Sequence, residues 1–307
     1  MPAAITAEYS STVPELPDVT VYVEALEARI VGQPLNELRI ASPFLLRTVE
    51  PPLSSIAGKR VLGVRRMAKR IVLSVEDDLR IVLHLMIAGR LHWLLPKKRV
   101  PRNIIAAFEF GNGTLTLTEA GTKKRASLHL ARGDASLAAF ERGGLDPLTC
   151  SAAEFAARAR SENHTIKRTL ADQRMFGGIG NAYSDEILHR ARLSPVKLTS
   201  RLTDDEYARL RNAARAVLSE WVERLRAQAG DEFPEKVTAF RPEMAVHGKY
   251  GQPCPVCDTA VQRIRYADNE TNYCPRCQTE GRLLADRGLS RLLKSDWPKR
   301  IEKLEGN

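Results

Sequence analysis

A chain of 307 residues with 43% hydrophobic and 27% charged content can bury the cores of two domains, which excludes wholesale disorder. Lys+Arg 47 against Asp+Glu 37 leaves a net charge of +10, which suits a polyanionic partner, although a solvated basic surface gives the same sum. Residues 1–13 lack the basic start and apolar core of a secretory signal, and no apolar run approaches the roughly 18 residues of a membrane span, so a soluble cytoplasmic protein is expected.

From Pro17 to Ile30 the apolar residues Val19, Val23, Leu26 and Ile30 recur at helical spacing, with Pro17 in the first turn and Gly32 and Pro34 as a stop. Short β-branched runs follow at residues 60–64, 70–75, 80–85, 90–95, 104–110 and 114–118, divided by turn residues such as Gly111-Asn112-Gly113. They predict an antiparallel sandwich or barrel. After Gly143-Gly144 the period becomes helical, over 152–160, 165–175, 182–191 and a long stretch from 204 to 229 for which Thr203 is the capping candidate. Residues 230–250 have no clear period, and a loop of that length is either functional or mobile.

The expected fold class is α+β with two domains. An N-terminal antiparallel β-sandwich flanked by helices occupies 14–143, after an extension at 1–13. A helical domain follows at 144–245, then a four-cysteine hairpin at 246–281 and a basic tail at 282–307.

Cys254-x-x-Cys257 and Cys274-x-x-Cys277 are separated by sixteen residues, a spacing that lets four thiolates converge on one zinc from two hairpin turns. Two disulfides are the competing reading, but the chain has no export signal. Four cysteine ligands leave no open coordination position, so the zinc is expected to be structural. Cys150 is left over and reads as a small buried residue.

Gly178-Ile179-Gly180-Asn181, just before a helix, is either a plain interhelical turn or a place where the backbone holds a phosphate. Lys69, between two strands, is either part of a solvated hairpin tip or a phosphate clamp, and Lys123-Lys124-Arg125 either a solvated loop or a generic backbone contact. His84, alone in an apolar strand, reads as a satisfied core residue or one behind the site.

Val13-Pro14-Glu15-Leu16-Pro17-Asp18 carries the sharpest alternative. Inside a chain, proline nitrogen is an amide with a delocalised lone pair, whereas a free N-terminal proline is a secondary amine that can attack an aldehyde. A valine codon can be a bacterial start, so initiation at Val13 followed by methionine removal would expose Pro14.

Taken in order, residues 14–19, Lys69, the stretch from Asn163 and Lys167 through Gly178–Leu188, and the cysteine module at 254–277 resemble the formamidopyrimidine-DNA glycosylase and endonuclease VIII family. The resemblance implies a bifunctional base-excision enzyme that turns a lesion out of damaged duplex DNA, with a helix-two-turn-helix in its second domain. Pro14 would attack C1′ and Glu15 would move protons. Lys69 would hold the lesion phosphate, and Asp18, where the family has glutamate, would support the site. Lys167 and Asn181 would grip flanking phosphates. One structural zinc, no catalytic metal or organic cofactor, a monomer and a nucleoid association through DNA are implied as well.

The chain departs from the family pattern in three places. In His84-Leu85-Met86-Ile87-Ala88-Gly89, Ile87 stands where the intercalating methionine would be. The family's Asp-Pro-Arg-Arg-Phe-Gly loop is replaced by residues 119–125, and Asn269 stands for a phosphate-binding arginine, with Arg263, Arg265 and Arg276 as substitutes. Two rival readings are a damage-binding protein without the amine and a zinc-ribbon RNA-binding protein.

Overall fold

The computed structural model describes residues 14–120, 124–235, 241–266, 269–285, 291–292 and 299–303. Residues 1–13, Lys123, the Asn269 side chain and much of the 282–307 tail lie outside the described residues.

Helix α1 spans Leu16–Ile30 with Pro17 in its first turn, where proline's missing N–H costs nothing. Its apolar positions Val19, Val23, Leu26 and Ile30 are all buried, joined by Tyr22. Beyond its end Gly32 takes φ +81°, a left-handed turn suited to glycine, and its N–H binds Val61.

Nine strands form two antiparallel sheets. Strands β1 (Pro34–Leu35), β3 (Lys59–Met67), β4 (Arg70–Val75), β5 (Leu79–His84) and β9 (Ser127–Arg132) make one, in the order β1-β3-β4-β5-β9. Strands β2 (Glu37–Ile40), β6 (Gly89–Leu94), β7 (Ile104–Phe110) and β8 (Gly113–Glu119) make the other, in the order β2-β7-β8-β6. The six expected runs all fall in strands. Pleat alternation explains the burial: Ile71, Leu73 and Val75 of β4 enter the core shared with α1, while Val72 packs on the other face with Met67, Val82 and Leu137.

Three strands were not anticipated. β1 has two residues, β2 is a half-exposed edge, and β9 follows directly on the basic run that masked its alternation. Leu128 and Leu130 of β9 nevertheless point into the sandwich core.

The second domain contains α2 (Ala152–Arg160), α3 (Ile166–Ala171), α4 (Asn181–Ala191) and α5 (Asp204–Ala229). Thr203 caps α5 as expected: its side chain accepts from the Glu206 N–H, and Glu206 accepts from the Thr203 N–H at 3.0 Å. Helix α3 ends at Ala171, short of the expected residue 175. The reason is local. Asp172 turns extended, and its carboxylate accepts the Arg174 N–H at 2.9 Å in place of a helical carbonyl.

A core of α2–α5 side chains, with Tyr183 set edge-on to Trp221 at 5.9 Å, encloses Leu16 from the start of α1. Phe233, just after α5, reaches the other way into the sandwich core. The two cores thus exchange a residue each, and α1 lies along both β3 and α5. The chain closes with the hairpin of β10 (Gln262–Tyr266) and β11 (Asn269–Tyr273) and the short helix α6 (Pro275–Thr279). Among the described residues no helix is long and apolar enough to cross a membrane.

Candidate active site and zinc centre

The start of α1 is fastened to the start of α4. Glu15, buried, sends its carboxylate across to the second domain, where it accepts from the backbone N–H of Gly180 at 2.6 Å, Ala182 at 2.9 Å and Tyr183 at 3.3 Å. Those N–H groups would otherwise be the orphans of a helix N-terminus, whose positive end favours an anion. The Leu16 N–H adds a bond to the Gly178 carbonyl at 2.9 Å.

The glycine turn thus receives an internal carboxylate. Gly180 has no room for a side chain, because a methyl group would run into Lys69 Nζ and the Glu15 carboxylate. Gly178, at φ +97°, lies against Leu16. Gln173 braces the turn, accepting the Gly178 N–H at 2.8 Å and donating to the Ile179 carbonyl at 2.5 Å.

Lys69 follows Ala68, which takes a left-handed φ of 51° in the β3–β4 turn, and its Nζ lies beside Gly180 near this carboxylate. Burial pushes the Lys69 amine below the ordinary lysine range, Glu15 and Asp18 pull it back up, and Lys167 lowers it. Of the sequence-predicted residues, Glu15 and Lys69 therefore come together beside Gly180, and Pro14 is buried and directly precedes Glu15.

Asp18 stands one step back. Its Oδ2 accepts the Glu15 N–H at 2.9 Å, closing the first turn of α1. Its Oδ1 pairs with Arg241 at 3.2 Å, both side chains buried. Burial pushes the Asp18 carboxyl above the ordinary carboxylate range, and the Arg241 guanidinium and the Glu15 N–H pull it part of the way back. Arg241 also donates to Gln228 at 3.3 Å and lies over Trp221.

Lys167 and Asn181, expected at backbone phosphates, are partly buried and also bonded to protein groups. Lys167 Nζ binds the Asn181 carbonyl at 2.6 Å and Asp185 Oδ1 at 2.5 Å, and Asn181 Nδ2 binds the Glu270 carbonyl at 2.9 Å. Asp185 is buried and also accepts the Asn272 N–H at 3.2 Å and meets His247 Nδ1 at 2.8 Å. Next to it, Glu186 accepts the N–H groups of Ala245 at 2.8 Å and of Val246 and His247 at 2.9 Å. The aperiodic stretch after α5 is thus pinned to α4.

The remaining candidates are dispersed. Ile87, half-buried, sits in the β5–β6 turn beside Met86, whose φ of 53° is left-handed. His84 accepts the Met86 N–H at 2.9 Å, and burial, with Arg70 and Lys69 nearby, lowers its pKa to about 3. This is the satisfied histidine anticipated. Lys124 binds the Glu119 carbonyl at 2.5 Å, and the Glu119 carboxylate accepts the backbone of Arg125 at 2.7 Å and of Ala126 at 3.0 Å. Arg263 pairs with Glu270 at 3.2 Å and stacks over Tyr250 at 4.1 Å, Arg265 lies 3.8 Å from the same carboxylate, and Arg276 is exposed on α6.

The sulfurs of Cys254, Cys257, Cys274 and Cys277 all lie within 4.8 Å of one another. Their closest approaches, 3.4 to 3.9 Å, are far beyond a disulfide bond of about 2.05 Å. They match instead the edge of about 3.8 Å expected for a tetrahedron with zinc–sulfur arms of about 2.3 Å. The four cysteines hold a structural zinc. His189 of α4, buried, brings Nε2 to 3.2 Å from Cys254 Sγ, so the hairpin is seated on the helix that binds Glu15.

Sequence reasoning missed Asp185, Glu186, His189, Gln173 and Arg241. The adjacent acids five and six residues after Gly180 were a usable signal, since charges on a helix enclosed by apolar neighbours need partners. Arg241 had none, because nothing local marks a residue whose partner lies 223 positions away.

Known proteins share this arrangement. Residues 13–128 match the formamidopyrimidine-DNA glycosylase N-terminal domain, residues 144–230 the H2TH domain of the same enzymes, and residues 251–279 a zinc finger found in FPG and IleRS. The formamidopyrimidine-DNA glycosylase of Pelotomaculum thermopropionicum is 30% identical over 275 residues, covering 86% of this chain and 99% of that protein. A formamidopyrimidine-DNA glycosylase-like protein of Mycobacterium tuberculosis is 41% identical over 152 residues, 49% of this chain and 94% of its own length. The structure of the Lactococcus lactis Fpg in complex with abasic-site DNA superposes with a TM-score of 0.77 at 26% identity, covering 86% of this chain and 99% of that one. A zinc-stapled, two-domain DNA glycosylase architecture is the class that fold and site define. The chain belongs to the formamidopyrimidine-DNA glycosylase family.

Proposed function

We propose that the protein excises oxidised bases from damaged duplex DNA and then cleaves the strand, using Pro14 as an N-terminal amine. The observation that carries the reading is the Glu15 carboxylate, fixed by backbone N–H groups beside Lys69 and directly adjoining Pro14. The similarity to an enzyme crystallised on abasic-site DNA supports the same substrate class.

In the proposed reaction the Pro14 nitrogen lone pair forms a bond to C1′ of the everted nucleotide, and the bond from C1′ to the base breaks with a proton from water delivered to the base. The Glu15 carboxylate takes the N–H proton of the attacking Pro14 amine and gives it to the sugar ring oxygen as the ring opens, leaving an iminium between Pro14 and C1′. Loss of a C2′ proton then expels the 3′ phosphate, a second elimination expels the 5′ phosphate, and water releases the sugar remnant from Pro14. Lys69 would bind the phosphate at the lesion and counter charge as the phosphates leave.

The chemistry needs Pro14 unacylated, so the working chain must begin there. The start of the family match at residue 13 supports this. The test is the intact mass of protein made from its own untagged gene, with borohydride trapping on duplex DNA that holds an abasic site. A mass beginning at Pro14 and an adduct abolished by Pro14→Gly are expected. A longer chain that binds abasic DNA without any adduct would replace the enzyme with a damage-binding protein.

A further inference from the structure

Arg241 has no part in the chemistry just described, yet it is one of the most deeply placed charges in the protein. It comes from the stretch between α5 and the zinc hairpin, which Glu186 anchors to α4 through the N–H groups of Ala245, Val246 and His247. Its guanidinium is 8% exposed, its partner carboxylate Asp18 is fully enclosed, and 3.2 Å separates them. Asp18 in turn accepts the N–H of Glu15 at 2.9 Å. A continuous line of contacts therefore runs from the second domain, through Arg241 and Asp18, to the peptide that joins the carboxylate-bearing residue to Pro14.

We propose that Arg241 is a positioning residue for base excision: as the buried counter-ion of Asp18 it keeps that carboxylate charged, so that Asp18 can fix the Glu15 N–H and the direction in which Pro14 leaves α1. The inference rests on the proposed reaction and deepens it, since it names a residue that governs the nucleophile without touching it.

The electrostatics call for such a partner. A carboxylate enclosed by protein is stable as an anion only with a positive charge or several donors at hand. Asp18 is faced by Glu15 and Tyr22 from α1, by Tyr183 from α4, by Lys69 from the β3–β4 turn, by Arg90 from β6 and by Arg241. Glu15 repels it, and the tyrosines, which burial pushes to high pKa, stay neutral. Of the cations, only Arg241 makes both a hydrogen bond and an ion pair with it. Protonated, Asp18 would keep a carbonyl oxygen but lose the charge-assisted bond on which the turn is closed.

The experiment compares wild type, Arg241→Lys, Arg241→Met, Asp18→Asn and the Arg241→Met/Asp18→Asn double variant. Each is made with the wild-type N-terminus and checked for zinc content and thermal melting. Single-turnover base release is followed from pH 5 to 9 with enzyme saturating, and DNA affinity is measured separately. Arg241→Met should lower the rate at pH 7 by about tenfold to a hundredfold, the loss typical of a reacting group displaced by about 1 Å. Its acid limb should move to higher pH, because an unpaired Asp18 takes up a proton earlier as pH falls. Arg241→Lys should recover most of the rate, and the double variant should be no slower than the slower single one, since both changes break one connection. DNA affinity should stay within about twofold of wild type, because Arg241 is enclosed and a lost phosphate contact would weaken binding far more.

A wild-type rate and pH profile in Arg241→Met, or fully additive losses in the double variant, would overturn the inference while leaving the enzyme reading intact. A wild type that releases no base and traps no DNA would remove both together.

Discussion

Glu15 and Gly180 stand 165 residues apart and are joined by a 2.6 Å hydrogen bond from the Gly180 N–H to the Glu15 carboxylate. That bond does two things. It saturates the N-terminus of α4, and it holds a candidate acid and base rigid at the seam between the sandwich and the helical domain. Placement on helix ends is what gives a site of this kind its precision, since neither group rides on a loose side chain alone.

Gly180→Ala should therefore cost far more in function than in stability. The backbone there has φ −131°, a value any residue adopts, so the substitution brings no conformational penalty. The added methyl group meets Lys69 Nζ and the Glu15 carboxylate, and both must move. We expect base release to fall by about a hundredfold. The melting temperature should drop by only a few degrees, roughly the effect of 1 kcal/mol in a domain of this size. Single-turnover kinetics alongside calorimetry checks this. Retained activity would mean the close approach of Lys69 and Glu15 is not needed.

Glu186→Ala should show first in stability. Glu186 touches no candidate catalytic group, but it is the acceptor for the N–H groups of Ala245, Val246 and His247. Its removal leaves buried donors without a partner, which costs at least about 2 kcal/mol. Chemical denaturation should show the loss. Hydrogen exchange at residues 245–247 should rise before that of the sandwich strands, and uniform exchange across the protein would count against a local anchor.

The elements of the fold were legible where a single period dominates. The α1 stripe, six strands and the long α5 with its Thr203 cap follow from spacing and turn residues, because each is stabilised by its own amphipathic face or cap. The four cysteines were legible for a different reason: a soft metal dictates the number and spacing of its ligands. Residue chemistry drew attention to Pro14 and the carboxylate after it, and the family resemblance added Lys69. What could not be read was how the parts meet. That Gly178–Asn181 receives an internal carboxylate depends on Glu15, from the other end of the chain. The pairing of Asp18 with Arg241 and the seating of the hairpin on His189 are long-range contacts that leave no periodic trace.

His189 leads to a prediction about the metal. Its Nε2 lies 3.2 Å from the Cys254 sulfur, within reach for a ring N–H to donate to that ligand. A donor to a ligating thiolate orients the ligand and steadies the metal bond. His189→Phe keeps the ring and removes the donor. Zinc should then bind about tenfold to a hundredfold more weakly, as is usual when an outer partner of a ligand is removed. Competition with a chromogenic chelator measures it. Unchanged zinc retention would mean the sulfur does not use the contact.

Lys69 gives the sharpest dependence on pH. Its amine is held below the ordinary lysine range chiefly by burial, so it loses its proton earlier as pH rises than an exposed lysine would. An ammonium is needed to bind phosphate and a neutral amine is not a substitute, so kcat/KM, which reports the free enzyme, should fall on the alkaline side below the titration of ordinary lysines. Lys69→Arg replaces the amine with a group that stays charged to a pH above about 12. Although the larger head will lower the plateau, the alkaline limb should move upward or vanish. Lys69→Gln should show the low rate at every pH. An alkaline limb that stays in place in Lys69→Arg would assign it to a different group and leave Lys69 as a point of packing against Glu15.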